Sequence, residues 1–161
     1  MKQNKPLALF LACLLWMNVA SAESLVSVKD IKIFESSGKT AAAFLTVTNE
    51  SDKAVKLTKA ESGIAEKTEL HTMQIDEKGV MRMRQAETLE IAPHGTLTLK
   101  PQGDHIMFIG LHEKLALGDM VKLGLTFESE DGVRDAHELT TTVESRAASP
   151  EKDATSHGHH H

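Results

Sequence analysis

The sequence predicts an all-β protein, built as an antiparallel sandwich or barrel. Three observations lead to this fold class. From Leu25 to about Val143, apolar residues recur with a period of two, the period of a half-buried strand. Turn-forming stretches rich in Gly, Pro, Asp and Asn interrupt this pattern at short intervals, and no long segment carries the 3.6-residue period of a helix. Short strands with closely spaced turns are typical of antiparallel sandwiches and barrels.

The alternating pattern divides into ten predicted strands. These are 25–34, 42–49, 54–61, 67–73, 80–85, 88–91, 96–99, 105–109, 120–127 and 133–143. After them the chain becomes small, charged and aperiodic, so we expect one domain over residues 23–144 and a solvated tail over 145–161.

The first 22 residues have the features of a secretory signal peptide. Lys2 and Lys5 precede an apolar run at residues 6–17, and Ala20-Ser21-Ala22 is a small-residue cleavage site. We expect cleavage at Ala22/Glu23. Lipidation at Cys13 is the alternative, but Phe10-Leu11-Ala12 matches a lipobox poorly. The sequence therefore predicts an exported protein.

Removing this segment changes what chemistry the protein can perform. The only cysteine and the only tryptophan leave with it, the remainder has no tyrosine, and the formal net charge changes from −5 to −7 because two lysines are lost. A chain without thiols has neither disulfides nor thiolate chemistry. An acidic balance argues against nucleic-acid binding. There is also no glycine-flanked serine of the nucleophile-elbow type and no phosphate-binding glycine loop, so we expect no enzyme.

Histidines and methionines occur at one repeated spacing. His71 with Met73, Met81 with Met83, and His105 with Met107 are each two residues apart, which places both members of a pair on one face of a strand. Four of the five methionines beyond the signal peptide belong to these pairs. A single inward methionine is more often core packing than a ligand, so the sequence alone leaves open whether the pairs meet.

Thioether and imidazole ligands together favour Cu(I) over zinc, calcium or magnesium. They also suit an oxidising compartment, where thiolates form disulfides. With no thiolate and no carboxylate expected nearby, the pattern does not predict a blue-copper centre. It suits a site that carries copper rather than one that cycles its oxidation state.

The spacing of these residues resembles the signature of the periplasmic copper(A) chaperones, the PCuAC family. In that signature a histidine, usually followed by methionine, precedes ten residues, a methionine, twenty-one residues and His-x-Met. Here His71-Thr72 is followed by residues 73–82, Met83, residues 84–104 and His105-Ile106-Met107. The resemblance covers roughly residues 41–127, including "ELHTM", "GVMRMR" and "HIMFIGLHEKLALGDMVKLGLTF", and departs from the common pattern at Thr72.

The resemblance implies a cupredoxin-like Greek-key β-sandwich in the periplasm that binds Cu(I) through His71, Met83, His105 and Met107. Met73 and Met81 share these strand faces and are candidates for a supporting role. The family is implicated in delivering copper to the CuA subunit of cytochrome c oxidase together with Sco-type proteins, so membrane contact is expected only through such partners. The alternatives are a periplasmic copper-buffering or resistance protein, and a nonmetal sandwich that binds a protein partner.

The C-terminus ends in four further histidines: His157, His159, His160 and His161. Imidazoles and backbone groups of such a tail could bind Cu(II). The alternative interpretation is a purification tag or a nonspecific metal-binding end.

Overall fold

Ten strands make up almost all of the regular structure in the computed structural model, which describes residues 24–146. The expected signal peptide and residues 147–161 of the expected tail lie outside the described residues. The strands are β1 (Val26–Phe34), β2 (Thr40–Asn49), β3 (Val55–Glu61), β4 (Ala65–Ile75), β5 (Met81–Ala86), β6 (Leu89–Ile91), β7 (Thr96–Leu99), β8 (His105–Leu111), β9 (Met120–Ser129) and β10 (Arg134–Glu144). Each corresponds to one predicted strand. The largest difference is that β4 is two residues longer at each end, while β2 begins two residues earlier and β8 and β9 end two residues later than predicted. Within residues 24–146 no helix has the length and apolarity needed to span a membrane.

The strands form one sheet in the order β5-β4-β8-β2-β1-β10-β9-β3-β6, with β7 also paired to β2. All the pairs are antiparallel except β1 with β10, which are parallel over Ile33–Phe34 and Val143–Glu144. This short pair joins two halves, which we call the site sheet (β5, β4, β8, β2, β1 and β7) and the opposing sheet (β10, β9, β3 and β6). Pairs between strands distant in sequence, such as β2 with β8 and β3 with β9, are what Greek-key connections produce.

The core lies between the two halves because each contributes every second side chain to it. On the site sheet Ala43, Leu45 and Val47 of β2 are buried, and on the opposing sheet Leu123 and Phe127 of β9 are buried. These residues belong to a single hydrophobic cluster. Burial of each large side chain contributes about 1.5–3 kcal/mol, so this cluster fixes which face of every strand points inward.

A buried asparagine connects the end of β2 to the loop after β6. The side-chain amide nitrogen of Asn49 donates to the carbonyl oxygens of Lys53 (2.7 Å), Ile91 (3.2 Å) and Ala92 (3.0 Å). Its oxygen accepts from the Ser51 backbone N–H at 3.0 Å. These bonds connect the end of β2 to the loop that follows it and to the loop after β6.

Alternation along β4 and β8 leaves their remaining side chains on the outer face of the site sheet. Leu70 of β4 and Ile106 and Phe108 of β8 are buried in the core. His71, which follows Leu70, and His105 and Met107, which alternate with Ile106 and Phe108, therefore point away from the core. This outer face carries the candidate site.

Candidate metal centre

Two histidines face each other on the outer face of the site sheet. The antiparallel register of β4 and β8 pairs His71 directly with His105. Their rings are 5.6 Å apart between centroids, with an interplanar angle of 67°. His71 is 9% exposed and His105 8% exposed. Strand pairing thus brings together two imidazoles that are 34 residues apart in the chain.

A methionine pair continues this face toward the β4–β5 turn. The register of β4 and β5 places Met73 directly opposite Met83, and Met81 opposite Ile75. Met83 is 47% exposed and Met81 54% exposed. Met83 is a diagonal neighbour of His71, a relation in which Cα atoms are about 7–8 Å apart and long side chains still reach each other.

The fourth predicted ligand, Met107, lies on the other side of the histidine pair. Its partner on β4 is Glu69, so Met107 is also a diagonal neighbour of His71. His71 is therefore adjacent to each of the other three predicted ligands. Met83 and Met107 are not adjacent to each other, because the row containing His71 and His105 lies between them.

The turn between β4 and β5 is held by one carboxylate, and this fixes the methionine register. Asp76 accepts from the backbone N–H groups of Lys78 and Val80, both at 2.9 Å, and from Nε of Arg82 at 2.6 Å. The Arg82 hydrogen bond, followed by that of Val80, holds the pKa of Asp76 below its ordinary value. Gly79 supplies the positive φ, 77°, that this turn needs.

Hydrogen bonds assign the nitrogen that each imidazole leaves available. Nδ1 of His105 lies 2.8 Å from the carbonyl oxygen of Gly103, which can only accept, so Nδ1 carries the proton and Nε2 has the lone pair. Nε2 of His71 lies 3.0 Å from a carboxylate oxygen of Glu69, which leaves the lone pair on Nδ1.

Nδ1 of His71 is buried and has no hydrogen-bond partner, alone among the buried side-chain nitrogens and oxygens of residues 24–146. A buried polar atom left unsatisfied costs about 1–3 kcal/mol. A metal ion bound at Nδ1 would remove that penalty.

Glu69 is the site residue that the sequence interpretation missed. We expected no carboxylate near the ligands, and the Glu69–His71 contact shows that expectation to be wrong. The signal was present, because Glu69 precedes His71 by two residues within a predicted strand and so shares its face. Because acidic residues are mostly exposed in folded proteins, the sequence alone did not distinguish Glu69 from ordinary surface charge.

Phenylalanine rings adjoin the histidine pair on the β2 side. The Phe44 ring lies 6.4 Å from the His105 ring, and Phe34 lies 6.0 Å from Phe44, between centroids. Such apolar neighbours limit the access of water to one side of the pair.

The side chains present fit a soft metal better than a hard one. Across residues 24–146 no three His, Cys, Asp or Glu side chains converge closely enough to hold a metal ion. The residues that the strand register places diagonally next to His71 include two with thioether side chains, Met83 and Met107. That donor set fits Cu(I).

The other described histidines have different surroundings. His94 is exposed and 2.7 Å from Asp52, and His137 is 3.0 Å from Asp135. His112 is exposed and follows the opposite end of β8 from His105. The tail histidines, residues 157–161, lie outside the described residues.

Comparisons with a family model and with solved structures show which family this chain belongs to. The model of the LpqE-like family, described as a lipoprotein family, matches residues 25–144. CuI-DR1885 from Deinococcus radiodurans, a solution structure, is 30% identical with a TM-score of 0.52 over 76% of this chain and 78% of that one. The LpqE-like model describes PCuAC proteins. This chain belongs to the PCuAC family.

Two further PCuAC structures share the fold at lower identity. The apo PCuAC domain from PmoF1 has a TM-score of 0.63 and 15% identity, over 76% of this chain and 95% of that one. The copper-bound PCuAC domain from PmoF2 has a TM-score of 0.57 and 15% identity, over 76% and 92%. The predicted cupredoxin-like β-sandwich is confirmed. A search of curated proteins found no match.

Proposed function

We propose that this PCuAC protein is an exported copper chaperone that binds Cu(I) through His71, Met83, His105 and Met107 and passes it to an acceptor. The observation that carries the proposal is the buried, directly paired His71 and His105 with flanking thioethers. Neutral imidazole and thioether ligands suit a monovalent soft ion.

The position of the site favours transfer over permanent storage. It lies on an outer face at the edge of the sheet, since β5 is the terminal strand. Met83 is half exposed, so an incoming protein can replace it without opening the core. Met73 and Met81 extend the row of thioethers toward the exposed turn and can receive copper during exchange.

The acceptor we propose is the CuA site of cytochrome c oxidase, with Sco-type proteins as partners in the periplasm. The support is the signature shared with the PCuAC family and the features of an export signal at residues 1–22. A test mixes the Cu(I)-loaded protein with an apo CuA domain and measures copper on each after separation. Copper that stays on the chaperone at equilibrium would favour the buffering function instead.

The first experiment is a Cu(I) titration against a colorimetric chelator under anaerobic, reducing conditions. It uses the mature chain with all four tail histidines changed to alanine, so that only the sandwich can bind copper. We expect one equivalent retained, and loss of it in the H105A/M107A variant with an unchanged amide NMR fingerprint. Retention by that double variant would overturn the proposed ligands.

The matched control is the H112A/M120A variant. It removes the same two residue types from exposed positions, since Met120 is 73% exposed and His112 lies beyond the far end of β8. We expect full copper retention. If H105A/M107A lost the fold rather than only the copper, the pair would be packing residues and the nonmetal alternative would gain support.

Binding of Cu(II) by the tail is a separate proposal. Titrating Cu(II) into the intact mature chain and into the tail-alanine variant tests it. Stoichiometry higher in the intact chain is expected, and equal stoichiometry would contradict it.

A further inference from the structure

Glu69 and His71 form a pair whose geometry restricts the histidine to one tautomer. Oε2 of Glu69 lies 3.0 Å from Nε2 of His71, and both side chains are largely buried, with 19% and 11% of their surface exposed. An ionised carboxylate only accepts hydrogen bonds, so Nε2 must carry the proton. The lone pair of neutral His71 is then on Nδ1.

The histidine on β8 is restricted to the other tautomer. The Gly103 carbonyl holds a proton on Nδ1 of His105, which leaves Nε2 as the nitrogen with a lone pair. Two imidazoles in contact across one strand pair thus present different nitrogens. On the His71 side, that nitrogen is buried and has no hydrogen-bond partner among residues 24–146.

We infer that Glu69 is a positioning residue of the copper site: it holds His71 in the Nε2–H tautomer, so that His71 binds copper through Nδ1 while His105 binds through Nε2. The inference rests on the proposed function. A carboxylate that accepts from a ligating imidazole also raises its basicity and fixes its ring orientation. Glu69 acts through His71 and does not itself bind the ion.

The direct test identifies the ligating nitrogen in the intact mature chain. The protein is labelled with ¹⁵N at histidine and loaded with ¹⁰⁹Ag(I), a redox-inert, soft monovalent ion with nuclear spin one half. We expect His71 to be in the Nε2–H tautomer before loading. After loading, we expect silver–nitrogen coupling at Nδ1 of His71 and at Nε2 of His105. Coupling at Nε2 of His71 would overturn the inference while leaving copper binding intact.

Variants of Glu69 separate positioning from simple attraction of a cation. Glu69→Ala removes the acceptor, and we expect Cu(I) affinity to fall about 10–100-fold, the usual effect of losing such a partner. Glu69→Gln keeps an acceptor oxygen without the charge, so we expect it to keep the tautomer and most of the affinity. Equal losses in both variants would mean that only the charge matters, which contradicts positioning.

The matched control is Asp135→Ala, which removes one negative charge from the other carboxylate–histidine pair of similar burial. We expect no change in Cu(I) affinity. If wild-type protein retained neither Cu(I) nor Ag(I), the proposed function itself would fail and this inference with it. If it retained them, but Glu69→Ala had no effect, only the inference would fail.

Discussion

Two carboxylate–histidine pairs with the same local geometry occupy opposite parts of this molecule. Glu69 and His71 on β4, like Asp135 and His137 on β10, are separated by two residues and by 3.0 Å between Nε2 and a carboxylate oxygen. All four side chains are less than one fifth exposed. Local sequence and local geometry alone do not distinguish the pairs.

What lies around each pair separates them. Asp135 also accepts from the Leu25 backbone N–H at 2.7 Å and from the Ser24 hydroxyl at 2.9 Å, so it fastens the start of β1 to β10. The His137 ring packs edge-on against buried Phe127. His71 instead faces a second imidazole and flanking thioethers, and its Nδ1 has no hydrogen-bond partner within the described part of the chain. The difference teaches that a carboxylate–histidine pair becomes a candidate metal centre only through what the neighbouring strands place beside it.

The largest expected effect is the difference in Cu(I) affinity between variants that lack the histidine of one pair or of the other. His71→Ala should lower Cu(I) affinity by more than about 100-fold, because losing a ligand exceeds the effect of losing its hydrogen-bond partner. His137→Ala should leave affinity unchanged. Chelator competition measures both, and equal affinities in the two variants would remove the functional distinction between the pairs.

A smaller effect is expected from the exposed thioether beside His71. Met83→Leu keeps the size and apolarity of the side chain but removes the sulfur, and we expect a loss of about tenfold, or about 1.4 kcal/mol of binding free energy. Met120→Leu is the control, because that methionine is exposed and belongs to none of the His/Met pairs. A Met83→Leu variant that binds like wild type would show that another thioether, with Met73 the nearest candidate, supplies the sulfur.

Much of this arrangement follows from sequence periodicity, and the rest depends on long-range pairing. A period of two predicts that His105 and Met107 share a face opposite Ile106 and Phe108, as β8 shows. It cannot predict that His71 is opposite His105, because the register between distant strands is set by core packing of residues such as Leu70. The tautomers of His105 and His71 could not be predicted from periodicity either, because they depend on hydrogen bonds to the Gly103 carbonyl and to the Glu69 side chain.

The carboxylates should differ in their effect on stability in the absence of copper. Asp135→Ala removes the acceptor for Leu25 N–H and Ser24, so we expect the free energy of unfolding to fall by about 1–3 kcal/mol. Glu69→Ala removes a contact within a single strand and should cost less. Urea unfolding of the apo proteins measures both. A larger loss for Glu69→Ala would show that its role is structural.

The Asp135 pair should also leave a signature in the acid dependence of stability. Burial pushes the pKa of Asp135 up, but hydrogen bonds from His137, Ser24 and the Leu25 N–H outweigh this, and the pKa lies below its ordinary value. A carboxyl whose pKa is lowered by folding contributes stability above the unfolded pKa, about 3.9, and loses it as the pH falls toward the folded value.

Asp135→Asn keeps the shape of the side chain but removes the charge, so the gap in melting temperature between wild type and this variant should narrow as the pH falls from about 5 to about 3. The exposed Asp131, whose pKa is lowered to about 2 chiefly by its hydrogen bond from Lys53, loses its own contribution in the same acid range in both proteins. Only the difference between the two proteins therefore reports on Asp135. A gap that stayed constant across that range would show that the charge of Asp135 contributes nothing and that its hydrogen-bond geometry alone holds the start of β1 in place.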